Sequence, residues 1–332
     1  MTTIYDIARL SGVSKSTVSR VLNNHPYVSK DAKEKVASAI KKLHYTPNSR
    51  AVQFRLQMTK NIGIIAPMLD HPYFSRLISA LSSECMLRGY KPVVYQTFFQ
   101  EEREKEVYTK LIHKELDAVI ITTSLFSEAY INELTASQTV VACNEDYEGT
   151  YFDVFSLDEE GIIYEATTSL LKQGLSNLVF CADILDNALQ QSRLKGFIRA
   201  HEQYSITYRE SYIYNHISTI EDGVQLGNSL FSGTLMCDGI VAGSDFVAAG
   251  LLKSARKHCI HVPKDVSIIG FDNHQISTIT APELSTICNH IQEMITDVFD
   301  RLVHRLNGGD TPYEKKVYTG TLIIRESCVN KK

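Results

Sequence analysis

From Asn61 onward the sequence alternates short, β-branched apolar runs with amphipathic stretches, and this alternation restricts the fold more than any other feature. The runs include "NIGIIAPM", "KPVVYQTF", "DAVIITTS", "TVVACN", "NLVFCAD", "GIVAGSD" and "DVSIIGFD", and "VYTGTLIIRES" reads as a last strand. Fully apolar strands separated by helices belong to mainly parallel sheets covered on both faces. About 270 residues of this pattern exceed one ordinary domain, so two similar α/β lobes are expected. Ligands on such sheets sit at the carboxyl ends of strands, here "APMLDHPYF", "CNED", "AGSDF" and "GFDN", and a cleft between lobes would collect all four.

The first 45 residues follow a different period. Three short helices fit them. In the first, Thr3 can cap with Asp6 three residues later, Ile4, Ile7 and Ala8 form the apolar side, and Gly12 can end it. In the second, Ser14 can cap, and Val18, Val21 and Leu22 share one face. The third follows Ser29, with Ala32, Val36, Ala39, Ile40 and Leu43 inward. Two helices joined at Gly12 and braced by a third make a helix-turn-helix unit. Because the apolar residues suffice to hold the second helix, Lys15, Ser16, Ser19 and Arg20 are expected to face outward.

Charge supports a polyanion partner for this part alone. The chain's net charge of -4 conceals eleven Lys/Arg against three acids in positions 1 to 60, a formal +8, and a remainder at -12. Lys and Arg near a helix start can bond guanine edges or phosphates, and hydroxyls can bond phosphate oxygens.

Other chemistries lack a centre. There is no GxxxxGK[ST], HExxH or GxSxG motif, so no enzyme is indicated and no cofactor or metal is expected. "HCIH" at 258 to 261 leads into a loop rather than a metal site, and "DEE" at 158 to 160 reads as helix-start capping. The seven scattered cysteines contain no CxxC and read as reduced thiols. No apolar run reaches the roughly 18 residues that span a bilayer, and "MTTIYDIARLSGV" lacks the apolar core of a secretory signal, so a cytoplasmic protein without membrane contact is expected.

With these segments in place, the sequence resembles the LacI/GalR family of bacterial repressors along essentially its whole length. The blocks that carry the resemblance are "YDIARLSGVSKSTVSRVLN", "VSKDAKEKVASAIKKLHYTPN", "RLKGF", "AGSDFVAAG" and "VPKDVSIIGFDN". It implies an α/β protein with an N-terminal helix-turn-helix DNA-binding head at 1-46, a hinge helix and linker at 47-60, and a two-lobed core at 61-332. The core would resemble periplasmic sugar-binding proteins, with parallel sheets, and would bind effector and dimerise.

Residue by residue, the resemblance places Lys15 and Ser16 where family members read bases in the major groove, with Arg20 one turn further. Thr17 and Ser19 match the hydroxyls that anchor phosphates. "PNSRAVQFRLQMT", which contains Asn48, matches the hinge that folds on the operator and presses a side chain into the minor groove. That position is Phe54 here, in "AVQF" where the family has "ARxL", and Leu56 is the fallback wedge. In the core, Arg193 and Asp272 match the pair that forks to sugar hydroxyls. Ser244 stands where asparagine is common and Asn144 where aspartate is common. Tyr73 and Phe74 fall where an aromatic lines the cleft, with core packing an equal alternative. His71 and His290 are weaker cleft candidates, and Asp245 is expected to cap the helix after it.

The resulting expectation is a homodimeric transcriptional regulator of a carbohydrate-utilisation operon, a repressor in kind. It would bind a pseudo-palindromic double-stranded DNA operator and respond to a small carbohydrate, a sugar or sugar phosphate, between the lobes. No leucine heptads follow the last strand, so no tetramer helix is expected. Two other readings stay open. One is a plain sugar-binding protein, against which the basic head argues; the other is a global catabolite regulator governed by a phosphoprotein partner.

Overall fold

The computed structural model describes residues 3–22, 25–45, 58–185, 187–233 and 235–329. Asn48 and Phe54, with Val52 and Leu56, lie outside the described residues. Contacts divide the chain into two compact units, Met1–Thr59 and Lys60–Lys332.

In the first unit, α1 (Ile4–Ser11) ends at Gly12, whose φ of 69° is the left-handed turn that a glycine reaches without strain. The Asp6 carboxylate accepts from the Thr3 amide at 2.9 Å and the Thr3 hydroxyl at 2.8 Å. Helix α2 (Lys15–Leu22) is capped by Ser14 Oγ, which accepts from Thr17 N at 3.1 Å, and α3 (Lys30–Lys42) by Ser29, which accepts from Ala32 N. Ile7, Val18, Val36 and Ala39 form the buried centre, with Val21, Leu22, Ile40 and Leu43 packed around it.

The second unit contains two six-stranded sheets. Naming strands in chain order, β1 (Asn61–Ala66), β2 (Lys91–Gln96), β3 (Ala118–Ile121), β4 (Val140–Asn144), β5 (Asp153–Leu157) and β11 (Lys315–Tyr318) form the first, in the order β11-β5-β4-β3-β1-β2. The second orders β12-β10-β9-β8-β6-β7, from β6 (Leu178–Cys181), β7 (Ile213–Tyr214), β8 (Gly239–Val241), β9 (Ser267–Phe271), β10 (Ser285–Cys288) and β12 (Thr321–Ile323). All recorded pairings are parallel except β10 with β12. The expected alternation is therefore present, with one correction: "VYTGTLIIRES" is two short strands, β11 and β12, in different sheets. Both are partly exposed edge strands, so a sequence run alone does not reveal the break.

The first lobe carries α4 (Pro72–Leu87), α5 (Glu101–Ile112), α6 (Glu128–Thr135) and α11 (Ile291–Leu306); the second carries α7 (Glu159–Lys172), α8 (Ala188–Gln203), α9 (Ile220–Phe231) and α10 (Asp245–Lys257). The described chain passes between the lobes at three places, 158, 289–290 and 319–320. Hydrogen bonds tie these crossings to one another: Asp158 N donates to Tyr318 O at 2.9 Å, and His290 Nε2 lies 2.8 Å from Thr321 Oγ1. His290 thus belongs to a crossing rather than to the cleft.

Helix pairs on the second lobe approach closely through glycines. A Cβ on Gly196 of α8 would meet the Glu160 carbonyl of α7 at 2.2 Å, and one on Gly250 of α10 would meet the Ile220 carbonyl of α9 at 2.2 Å. The first contact presses the start of α7 against the face of α8 that carries Arg193. On the first lobe a buried ion cluster does comparable work, since Asp153 on β5 accepts from Arg301 and Arg305 of α11. Among the described residues no helix is long and apolar enough to cross a membrane.

Candidate functional site

Two surfaces concentrate the predicted residues. On the head, Lys15, Ser16 and Arg20 are exposed on α2, and Thr17 and Ser19 are half-buried beside the buried Val18. Ser14 Oγ lies 2.7 Å from Ser16 Oγ and 2.9 Å from Thr17 Oγ1, so the cap residue also orders the two hydroxyls that follow it. Lys15 Nζ donates to the Tyr5 hydroxyl at 2.8 Å and stands 4.2 Å from the centre of that ring. Tyr5, 66% exposed on α1, was not singled out from the sequence. The lysine is its main influence, holding the phenol below its usual pKa through that hydrogen bond. The Tyr5 phenol and ring hold the Lys15 ammonium at the start of α2.

In the core, a cleft enclosing about 600 Å³, part of it open to solvent, lies between the lobes. Tyr73, Phe74 and Asn144 from the first lobe and Arg193, Ser244 and Asp272 from the second all line it. Asn144 closes β4 and Asp272 follows β9, and their φ values of 107° and 93° put both in positive-φ backbone that residues other than glycine seldom adopt. At corresponding strand ends of the two lobes, the chain is turned so that an amide and a carboxylate reach the cleft.

The aromatic pair is arranged edge to face, with Tyr73 and Phe74 centroids 5.5 Å apart. The Tyr73 hydroxyl donates to Asn144 Oδ1, and Asn144 Nδ2 donates to Thr122 O at 3.0 Å. Burial, and then the Asp272 charge, raise the Tyr73 pKa well above its usual value, so the phenol stays a donor.

Arg193 is buried at 7% exposure. Its Nε donates to Glu159 at 2.6 Å, one terminal nitrogen donates to the Gly243 carbonyl at 3.2 Å, and the guanidinium lies 3.8 Å from the Phe271 ring centre. Among the acids at 158 to 160 only Asp158 acts as the cap, accepting from Gly161 N; Glu159 is the buried partner of Arg193. Asp272 accepts from Asn289 Nδ2 at 3.0 Å, and burial pushes its pKa up to about 6 against the pull of Arg193. Its carbonyl accepts from Arg76 of α4 at 2.5 Å, a direct link between the lobes.

Asp245 departs from its expected role. Ser244 is the cap, accepting from Val247 N at 3.2 Å, whereas the fully buried Asp245 carboxylate accepts from Thr286 Oγ1 at 2.5 Å and His274 N at 2.7 Å. It braces the loop that carries Asp272 from behind, and burial raises its pKa to about 7. Serine at the preceding position competes successfully for the helix start, which leaves the aspartate free to turn inward.

Several cleft residues escaped sequence reasoning. Gln190 precedes Arg193 by three positions, and that i, i+3 spacing on one helix face was the available signal. Asp183 follows β6 and stands 3.9 Å from His71 Nε2. Burial lowers the His71 pKa, so the imidazole is neutral near pH 7. In "HCIH", His258 pairs with Asn228 and His261 with Asp265, so neither imidazole faces the other's partners.

Comparison with known proteins places both regions. A family profile described as bacterial regulatory proteins, lacI family, matches residues 3–48, and one described as periplasmic binding protein-like domain matches residues 167–328. The NTD biosynthesis operon regulator NtdR of Bacillus subtilis (strain 168) is 34% identical over 328 residues, covering 98% of this chain and 100% of that protein. The lac repressor dimer bound to operator and the anti-inducer ONPF shares the fold with a TM-score of 0.86 at 21% identity, over 98% of each chain. The transcriptional regulator CelR in complex with cellobiose matches with a TM-score of 0.70 at 23% identity, over 98% of this chain and 100% of that one.

Proposed function

Since the chain belongs to the LacI family of bacterial regulatory proteins, and is thus a DNA-binding transcriptional regulator rather than an enzyme, we propose that it represses a carbohydrate-utilisation operon under control of a small carbohydrate bound in the inter-lobe cleft. The observation that carries this reading is the meeting of Arg193, Asp272, Asn144 and the Tyr73–Phe74 pair in one cleft at the carboxyl ends of two parallel sheets. Paired polar groups beside aromatic faces suit a polyhydroxylated ring.

The protein acts in the cytoplasm as a homodimer. One small head offers too little contact for tight binding, so two heads engage two half-sites of a pseudo-palindromic operator. In the head, Lys15 and Ser16 meet base edges with Arg20, while Thr17 and Ser19 anchor phosphates. In the segment 47-60, Asn48 contacts DNA and Phe54 presses into the minor groove. The lac repressor dimer on its operator and the CelR–cellobiose complex support this division by likeness of fold. Ligand shifts lobe closure, and the shift changes operator affinity by a coupling free energy.

The test is a stability screen of the full chain against monosaccharides, disaccharides, sugar phosphates and nucleobases. The chain has no tryptophan, so dye or calorimetric detection is required. A ligand at 100 times its Kd adds about 2.7 kcal/mol. A hit that also changes operator affinity supports the reading; a panel without hits, combined with core binding to a phosphoprotein, replaces it with the protein-controlled alternative.

A further inference from the structure

The cleft has donors and acceptors in unequal supply. Several of its donors are already engaged within the protein: Arg193 Nε by Glu159 and one terminal nitrogen by the Gly243 carbonyl, the Tyr73 hydroxyl by Asn144, and the Asn144 amide by Thr122. Two of its acceptors lack a donor among the described residues. Gln190, only 7% exposed, lines the cleft, and its Oε1 is buried without a hydrogen-bond partner. Among the described residues the Asp183 carboxylate pairs with His71 alone, at 3.9 Å and across from a neutral imidazole.

Charge points the same way. Of the lining residues only Arg193 is a full cation, and it is paired with the buried Glu159 at 2.6 Å; its pull and that of Arg76 fall on Asp272, which leaves Asp183 the less compensated carboxylate. Arg76, at the rim, donates to the carbonyls of Asp272 and Asn273. A buried acceptor without a donor costs stability that a ligand can recover, and uncompensated carboxylates repel an anionic one.

We propose, building on the reading of the cleft as a carbohydrate site, that its effector is an amine-bearing sugar whose ammonium group sits between Asp183 and Asp272 and donates toward Gln190. A neutral sugar brings no positive charge to Asp183, and a sugar phosphate adds a further negative group. An ammonium supplies three donors and one positive charge beside carboxylates whose nearest cation, Arg193, is already paired with Glu159.

The experiment is isothermal titration calorimetry of the full chain with matched sets from the glucose, galactose and mannose series: parent sugar, 2-amino sugar, N-acetyl derivative and 6-phosphate. The expected result is at least tenfold tighter binding of an amino sugar than of its parent, with the preference lost on N-acetylation, which removes the charge and keeps an N–H. In Asp183→Asn the ratio of amine to parent affinity is expected to fall toward one; because Asp183 sits in a part-exposed loop, that variant is not expected to compromise the fold. A parent sugar or phosphate binding as tightly as its amine overturns the amine assignment and leaves the carbohydrate reading in place. Absence of binding across all three series overturns the carbohydrate reading and the assignment with it.

Discussion

On the head, Lys15, Ser16 and Arg20 are exposed and the packing of α2 rests on Val18, so the side chains assigned to DNA contribute little to holding the unit together. In the core, Arg193, Gln190 and Asp272 are each less than a tenth exposed, and Arg193 also holds α8 to α7 through Glu159. A contact surface for a large polyanion can be added to a finished fold, whereas a cleft for a small ligand must be built from the fold's own interior. Substitutions at the first site should change binding alone, and those at the second should change binding and stability together.

The largest departure is expected at Arg193. Arg193→Ala leaves the 6%-exposed Glu159 without its partner and should cost the core about 3–5 kcal/mol, with loss of the ligand response. Operator binding by properly folded protein should persist. Replacing the pair together, Arg193→Met with Glu159→Leu, should recover most of the stability without the response, as calorimetry can show. Recovery of the response by the double variant would remove Arg193 from the ligand site.

A smaller effect tests the scaffold under that pair. In Gly196→Ala the new methyl would meet the Glu160 carbonyl at 2.2 Å, so α7 and α8 must separate, at about 2–3 kcal/mol by denaturant titration. An unchanged midpoint would show that the helix contact is dispensable.

The pH dependence separates the regions further. Asp245, raised from 3.8 to about 7, retains in the folded state a proton that the unfolded chain releases. Its contribution is therefore fully present below pH 4 and is lost as the pH rises toward 7, a decline on the order of 4 kcal/mol. Asp245→Asn should flatten that slope in thermal melts between pH 4 and 8; an unaltered slope would assign the titration elsewhere.

Smallest in stability are the head variants. Lys15→Ala should change base preference at particular half-site positions by about 1–2 kcal/mol, while Thr17→Val weakens all sequences alike. Uniform weakening by both would make Lys15 a phosphate contact.

Sequence reading reached each region to a different depth, for physical reasons. The head's helices, caps and outward residues follow from local periodicity, and Thr3, Gly12, Ser14 and Ser29 act where their types predict. Alternation made the α/β core legible, but the split of the last strand depends on which sheet each half joins. In the cleft, residues in the "RLKGF", "AGSDF" and "GFDN" blocks could be named, while the Arg193–Glu159 pair spans 34 positions and the Asp245–Thr286 bond 41. Tertiary partners at such separations leave no local signal, and Tyr5 was missed because its lysine lies ten residues away.

The most direct test of this division of labour is to select double-stranded DNA from a random pool with the full chain, then measure the affinity of the enriched site for wild type, Lys15→Ala and Arg193→Ala by fluorescence anisotropy. The expected result is an enriched pseudo-palindrome, weaker and redistributed base preference in Lys15→Ala, and near wild-type affinity in folded Arg193→Ala. Enrichment of no sequence, or equal binding by wild type and Lys15→Ala to every site, would contradict it.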